Sequence, residues 1–121
     1  MIRDVTDLEV YRLALELLVK LYGFLRKIPK SEYDTVRQCK RAGKSIPAQI
    51  AEGFAKRSYE REFKRFLKIA IGSSDELITH LRMIAIVVPR LVNEAKELAE
   101  EYKVLSKRLN KLHSVWESGY F

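Results

Sequence analysis

Residues Asp7 to Ile28 read DLEVYRLALELLVKLYGFLRKI, and in them Leu8, Tyr11, Leu15, Leu18, Tyr22 and Leu25 recur at alternating intervals of three and four. That spacing lays an apolar line along one face of an α-helix, as bundle helices do. A second line, Val10, Leu13, Leu17, Leu21, Phe24 and Ile28, runs beside the first and leaves only a polar ridge of Glu9, Arg12, Glu16, Lys20 and Lys27. One seam of a small bundle cannot cover both lines. The second line, through Val10, Leu13, Leu17, Leu21 and Phe24, therefore reads as a subunit interface, the alternative being a helix sunk deep in its own bundle. Thr6 and Glu9 match a capping box, which predicts a start near Asp7, and Pro29 predicts the end.

Three more segments carry the same period. Val36, Cys39, Gly43, Ile46, Ile50 and Phe54 mark a second helix after Ser31, a suitable N-cap. Pro47 falls inside it and removes one backbone donor, so the helix either kinks there or restarts on Ser45; the unslipped apolar spacing favours the kink. Gly53 suits the position just past a helix end, and Ser58 a cap for the next helix. Phe63, Phe66, Ala70, Ser74, Leu77, Leu81, Ile84 and Val88 carry the third stripe, interrupted by Gly72-Ser73-Ser74, which reads as a close helix approach or a ligand-facing notch. After Pro89, Leu91, Ala95, Leu98, Tyr102, Leu105, Leu109, Leu112 and Trp116 complete the set. The expectation is a single all-α domain over residues 1–121, an up-down-up-down antiparallel four-helix bundle with helices at about 7–28, 32–53, 59–88 and 91–117.

Five Gly and three Pro among 121 residues argue against many-turned or collagen-like chains, and 47% apolar content argues against disorder. The lone Cys39 cannot form an internal disulfide and reads as a small buried hydrophobe. Uncharged runs reach about seven residues against the roughly 18 of a membrane span, so a soluble, cytoplasmic protein with no membrane partner is expected.

Chemistry-bearing motifs are sparse. His80 and His113 fall on different helices, Glu76 precedes His80 by four rather than the three of di-iron bundles, and no phosphate-loop, nucleophile-elbow or paired-cysteine pattern occurs. Neither an enzyme, a metal site nor a cofactor is expected. Charge is more informative: 23 basic against 16 acidic residues give +7, and residues 31–70 alone hold 10 against 5. Arg37, Lys40, Arg41 and Lys44 share one side of the second helix, and Arg61, Lys64, Arg65 and Lys68 one side of the third, with Lys56 and Arg57 between them. These ten are the candidate nucleic-acid contacts, expected to merge into one cationic surface for the phosphates of RNA or DNA. Tyr59, Phe63 and Phe66 interleave with them but follow the core stripe, which leaves base stacking a weak idea. Glu52, in the last turn of its helix, suggests either a surface pair with Lys56 or a structural pairing elsewhere.

Four segments in order, Asp7-Leu8-Glu9-Val10-Tyr11, Gln38-Cys39-Lys40-Arg41-Ala42, Ser45-Ile46-Pro47-Ala48-Gln49-Ile50-Ala51-Glu52-Gly53 and Phe66 through Ile71-Gly72-Ser73-Ser74-Asp75-Glu76-Leu77, resemble the family of four-helix-bundle proteins encoded in 23S ribosomal RNA intervening sequences. The resemblance spans about residues 7 to 85, with Pro47, Glu52, Gly53, Gly72 and Ser73 as its structural motif residues. Gln49 stands where that family more often has Asn, and Ile71 where a basic residue commonly precedes Gly-Ser. The resemblance implies a ring-shaped homo-oligomer, typically a pentamer. It also implies kinship with the accessory variability determinant of diversity-generating retroelements, which associates with a reverse transcriptase and its template RNA. On this basis the chain is expected to be a non-enzymatic nucleic-acid-binding ring, for which the resemblance implies an accessory role to a reverse transcriptase; the alternative is a scaffold module that contacts protein alone.

Overall fold

The computed structural model describes residues 2–117. Four helices form, α1 (Glu9–Leu25), α2 (Tyr33–Phe54), α3 (Glu60–Val87) and α4 (Val92–Val115), with 3-10 turns at Val5–Asp7, Lys30–Glu32 and Pro89–Leu91. No strand occurs among the described residues. α1 packs on α2 and α4, and α3 packs on the same two helices over a larger area. The order of contacts makes each neighbouring pair antiparallel. Arg41 meets Glu76 and Ser45 meets Ser73 across α2 and α3, while Lys20 meets Glu101 and Lys27 meets Glu94 across α1 and α4.

The periodic apolar positions supply the core. Leu21, Ile46, Ile50, Leu67, Leu77, Leu81, Ile84, Leu105 and Leu109 are fully buried, and so are Cys39, Tyr102 and Trp116. At the end of the bundle where α2 turns into α3, Phe63 takes Trp116 edge-on at 4.6 Å between centroids and Phe54 at 6.2 Å. Each such pair adds about 0.5–1.5 kcal/mol beyond the area it buries.

Several local expectations change. Val10, Leu17, Leu21 and Phe24 are buried in the chain's own core and Leu13 packs against it, so this line is not a free subunit interface. The middle of the other line is the outer one: Leu15 is exposed, with Tyr11, Leu18 and Tyr22 half-buried beside it, while its ends Leu8 and Leu25 are buried; Val19, outside both lines, is exposed. The reason is that α1 faces both α2 and α4, which turns its Val10 line inward. The capping box forms two residues early. Asp4 accepts from the Thr6 N–H and hydroxyl, Asp7 accepts from the N–H groups of Arg3 and Asp4, and Glu9 is drawn instead to Arg108. Ser31 lies within a 3-10 turn and does not cap α2, which begins at Tyr33. α2 runs through the buried Pro47 without restarting on Ser45.

Gly53 is not a left-handed cap, because no described glycine has positive φ and α2 continues to Phe54. Its role is packing. A Cβ there would stand 2.5 Å from Phe66 Cβ and 3.1 Å from Phe63 Cδ1. Of the Gly72-Ser73-Ser74 run, the serines join helices: Ser73 donates to Ser45 at 2.9 Å, and buried Ser74 accepts from Ser106 at 2.7 Å. Gly72 faces open space. Tyr59, not Ser58, holds the N-cap position of α3 and makes no side-chain cap there, forgoing about 1 kcal/mol that a Ser or Asp supplies.

These two glycines predict opposite outcomes. Gly53→Ala is expected to lower the unfolding free energy by about 1–3 kcal/mol, since Phe66 Cβ is fixed to its helix and cannot swing away. Gly72→Ala is expected to raise it by about 1 kcal/mol through helix propensity alone. Urea denaturation of both variants checks the pair, and equal shifts would remove the packing role of Gly53.

Candidate nucleic-acid interface

The α2 cations are largely engaged within the chain. Arg41 donates to Glu76 and, at 3.0 Å, to Gln38; Arg37 lies 3.7 Å from Asp34; the Lys40 ammonium sits 5.2 Å from the centre of the Tyr22 ring. Lys44 is exposed and makes no ion pair with any described residue. Glu76 also meets His80 Nε2 at 3.0 Å, and the His80 contact, with the Arg41 charge, holds its carboxyl below the usual range.

On the link and α3, aromatic faces hold the cations. Lys56 lies 4.8 Å and Arg65 4.5 Å from the Phe66 ring centre, while Arg57 lies 4.1 Å from that of Phe54 and donates to its carbonyl at 3.2 Å. Lys64 pairs with Glu60 at 3.8 Å and Arg65 with Glu62 at 3.1 Å. Arg61 and Lys68 are exposed and form no ion pair among the described residues. Glu52 is exposed, and its charge bears on Arg65 rather than sealing a buried contact.

The ten predicted residues fall at two levels along the bundle. Antiparallel packing sets Arg41 level with Glu76 and Ser45 level with Ser73 of α3, and sets Phe66, amid Arg61 to Lys68, level with Gly53 of α2. At 1.5 Å per residue, even Lys44 and Lys68 are offset by about 9 Å along the bundle. The partner of the α3 ridge is α4. Residues 102–116 contain Lys103, Lys107, Arg108 and Lys111 and no acidic residue, whereas Glu94, Glu97, Glu100 and Glu101 crowd the first half of the same helix. His113, toward the end of α4, feels both Lys68 and Lys64, whereas Lys111 lines a groove with Leu8, Glu9 and Val10 of α1. Arg108 likewise turns to Glu9 of α1. Arg61, Lys64 and Lys68 of α3 and Lys107 and Lys111 of α4 thus lie toward the same end of the bundle, with Lys111 on its α1 side. A tally over residues 91–121, five basic against five acidic, hides this half, but the four-residue spacing of Lys103, Lys107 and Lys111 discloses it.

The acidic side lies elsewhere. Glu94, Glu97 and Glu101 line a groove of about 260 Å³ between α1 and α4 with Lys20, Phe24 and Leu98, and Lys27 and Lys20 close ion pairs across it. Cys39 is buried, and burial pushes its thiol up to about 12, so it is not poised as a nucleophile. Among the described residues no three His, Cys, Asp or Glu side chains gather as a metal site requires. No helix among them is long and apolar enough to cross a membrane.

The family model of the 23S rRNA-intervening sequence protein matches residues 6–111. No curated protein matches the chain. The chain belongs to the 23S rRNA-intervening sequence protein family.

Partial burial first, then Lys68 and Lys64, holds the His113 imidazole below its ordinary 6.5. As pH falls through 6.5 the unfolded chain takes up this proton before the folded one does, so His113 withdraws stability on acidification. Replacing both lysines, Lys64→Gln with Lys68→Gln, is expected to raise the His113 pKa in an NMR titration. An unmoved titration would separate the α3 and α4 cations.

Proposed function

We propose that this family member is a non-enzymatic, oligomeric protein that binds nucleic acid through the cationic end shared by α3 and α4. The observation that carries the reading is uncompensated charge from two helices at one end of the bundle: Arg61, Lys68, Lys107 and Lys111 have no ion-pair partner among the described residues, and His113, held down first by burial, also feels Lys68 and Lys64. Cations that repel one another cost stability unless an anion joins them, and a row of phosphates does so while releasing its condensed counterions. Lys44 and the rest of the α2 ridge then serve as a secondary, weaker contact. Burial of Cys39, which pushes its thiol up, argues against nucleophilic chemistry at that residue.

Self-association belongs to the same proposal. The exposed Leu15 and Val19 on α1, flanked by Tyr11, Leu18 and Tyr22, offer the apolar strip for a second copy, and a ring would repeat the cationic end around its axis. The pentamer and the reverse-transcriptase partner are the narrower forms of this reading and rest on the resemblance alone. A scaffold role draws support from a different strip, Met83, Ile86 and Val87 at the far end of α3, where Ile86 is 76% exposed.

Fluorescence anisotropy with a labelled RNA hairpin across a salt series tests the binding. The wild type is expected to bind with steep salt dependence. Lys68→Glu with Lys111→Glu should cost more than about tenfold at low salt and flatten the salt slope by about two, while Lys30→Glu at the opposite end leaves both nearly unchanged. Binding that is absent at low salt, or equal in the two variants, removes the assignment. Sedimentation tests assembly: Leu15→Glu with Val19→Glu is expected to yield monomers that bind more weakly, and an unchanged sedimentation coefficient would exclude the α1 strip.

A further inference from the structure

Tyr59 in the turn between α2 and α3 stands apart from the aromatic residues around it. Phe54, Phe63 and Phe66 are buried, whereas the Tyr59 ring is 70% exposed. Its backbone, by contrast, is fixed. The Tyr59 N–H donates to the Lys56 carbonyl at 2.9 Å, and the Tyr59 carbonyl accepts from Glu62 and Phe63 at 3.0 and 3.1 Å. The turn before it is closed by Lys56 N–H to Gly53 and Arg57 N–H to Phe54. A large ring is therefore held in water on a rigid support, at an N-cap position that local chemistry would fill with a short polar side chain. Positions that break a local rule without a gain inside the fold are where function is expected.

The surroundings suit a nucleotide. Lys56 is steadied over Phe66, and Arg61 is exposed without an ion pair among the described residues. The carboxylates of the first helical turn are already occupied, Glu60 by Lys64 and Glu62 by Arg65. We propose that Tyr59 is a stacking platform for an unpaired base, so that the nucleic acid held by the α3/α4 cations is single-stranded or looped where it crosses the bundle tip. Every base offers a π-face to such a ring, while a continuous duplex keeps those faces sealed by its own stacking. Lys56 and Arg61, on either side in sequence, supply the charge for the flanking phosphates. The inference rests on the nucleic-acid reading above and narrows its ligand class.

Anisotropy with a labelled single-stranded oligouridine and a blunt RNA duplex of equal length tests it. Tyr59→Ala should lose about tenfold on the single strand and little on the duplex, and Tyr59→Trp should retain the single strand. Lys68→Glu with Lys111→Glu should weaken both. A Tyr59→Ala variant that keeps its single-strand affinity, or loses both ligands equally, overturns the platform while leaving polyanion binding in place. A wild type that binds neither ligand overturns both. Thermal denaturation of Tyr59→Ala, expected to match the wild type because the ring packs on nothing, confirms that any loss is local.

Discussion

α2 comes so near α3 at Gly53 that a single methyl group there would collide with Phe66 Cβ. Much of the arrangement follows from it. With no side chain in the way, Phe63 reaches inward to meet both Phe54 and Trp116, and the end of α4 is drawn onto the end of the bundle where α2 turns into α3. That registration decides which charges become neighbours. It brings the first turns of α3 against the last turns of α4, so the basic runs of two helices far apart in sequence share one end.

Charge is sorted rather than scattered. α4 begins acidic and ends basic, and the acidic half closes on α1 through Lys20 and Lys27 while the basic half divides, Arg108 and Lys111 lying against α1 and His113 near Lys64 and Lys68 of α3. The exposed pairs each contribute little, about 0–1 kcal/mol, so their part in holding the bundle together is small. Their part in placing net charge is larger. Each carboxylate they occupy is one fewer to neutralise the cationic end, and field strength at a surface depends on that local balance.

The fold was legible because four apolar stripes with a clear helical period admit few other structures, and the buried set follows those stripes closely. What failed was local or relational. Thr6 with Glu9 has the letters of a capping box, yet Asp4 and Asp7 form one two residues earlier, and Asp4 takes the Thr6 N–H that Glu9 would need. The Val10 line of α1 read as a subunit interface, and only the angle at which α1 meets α2 and α4 decides that Val10 turns in and Leu15 turns out. Tyr59 fits the α3 stripe by spacing but precedes the helix, where the backbone has left helical geometry and the side chain points away from the core. The ten basic residues were correctly read as exposed or boundary positions. Their division between two levels depends on axial offset, and that appears only when the helices are set against one another.

Trp116 gives the bundle an optical property. It is the only tryptophan in the chain, fully buried, and stacked edge-on against Phe63 beneath the end where the α3 and α4 cations collect. Its emission therefore reports on one defined locality. Fraying of the last turn of α4 would admit water to the indole and shift the spectrum to the red while the other three helices remained intact, so tryptophan fluorescence and far-ultraviolet dichroism read different parts of this molecule.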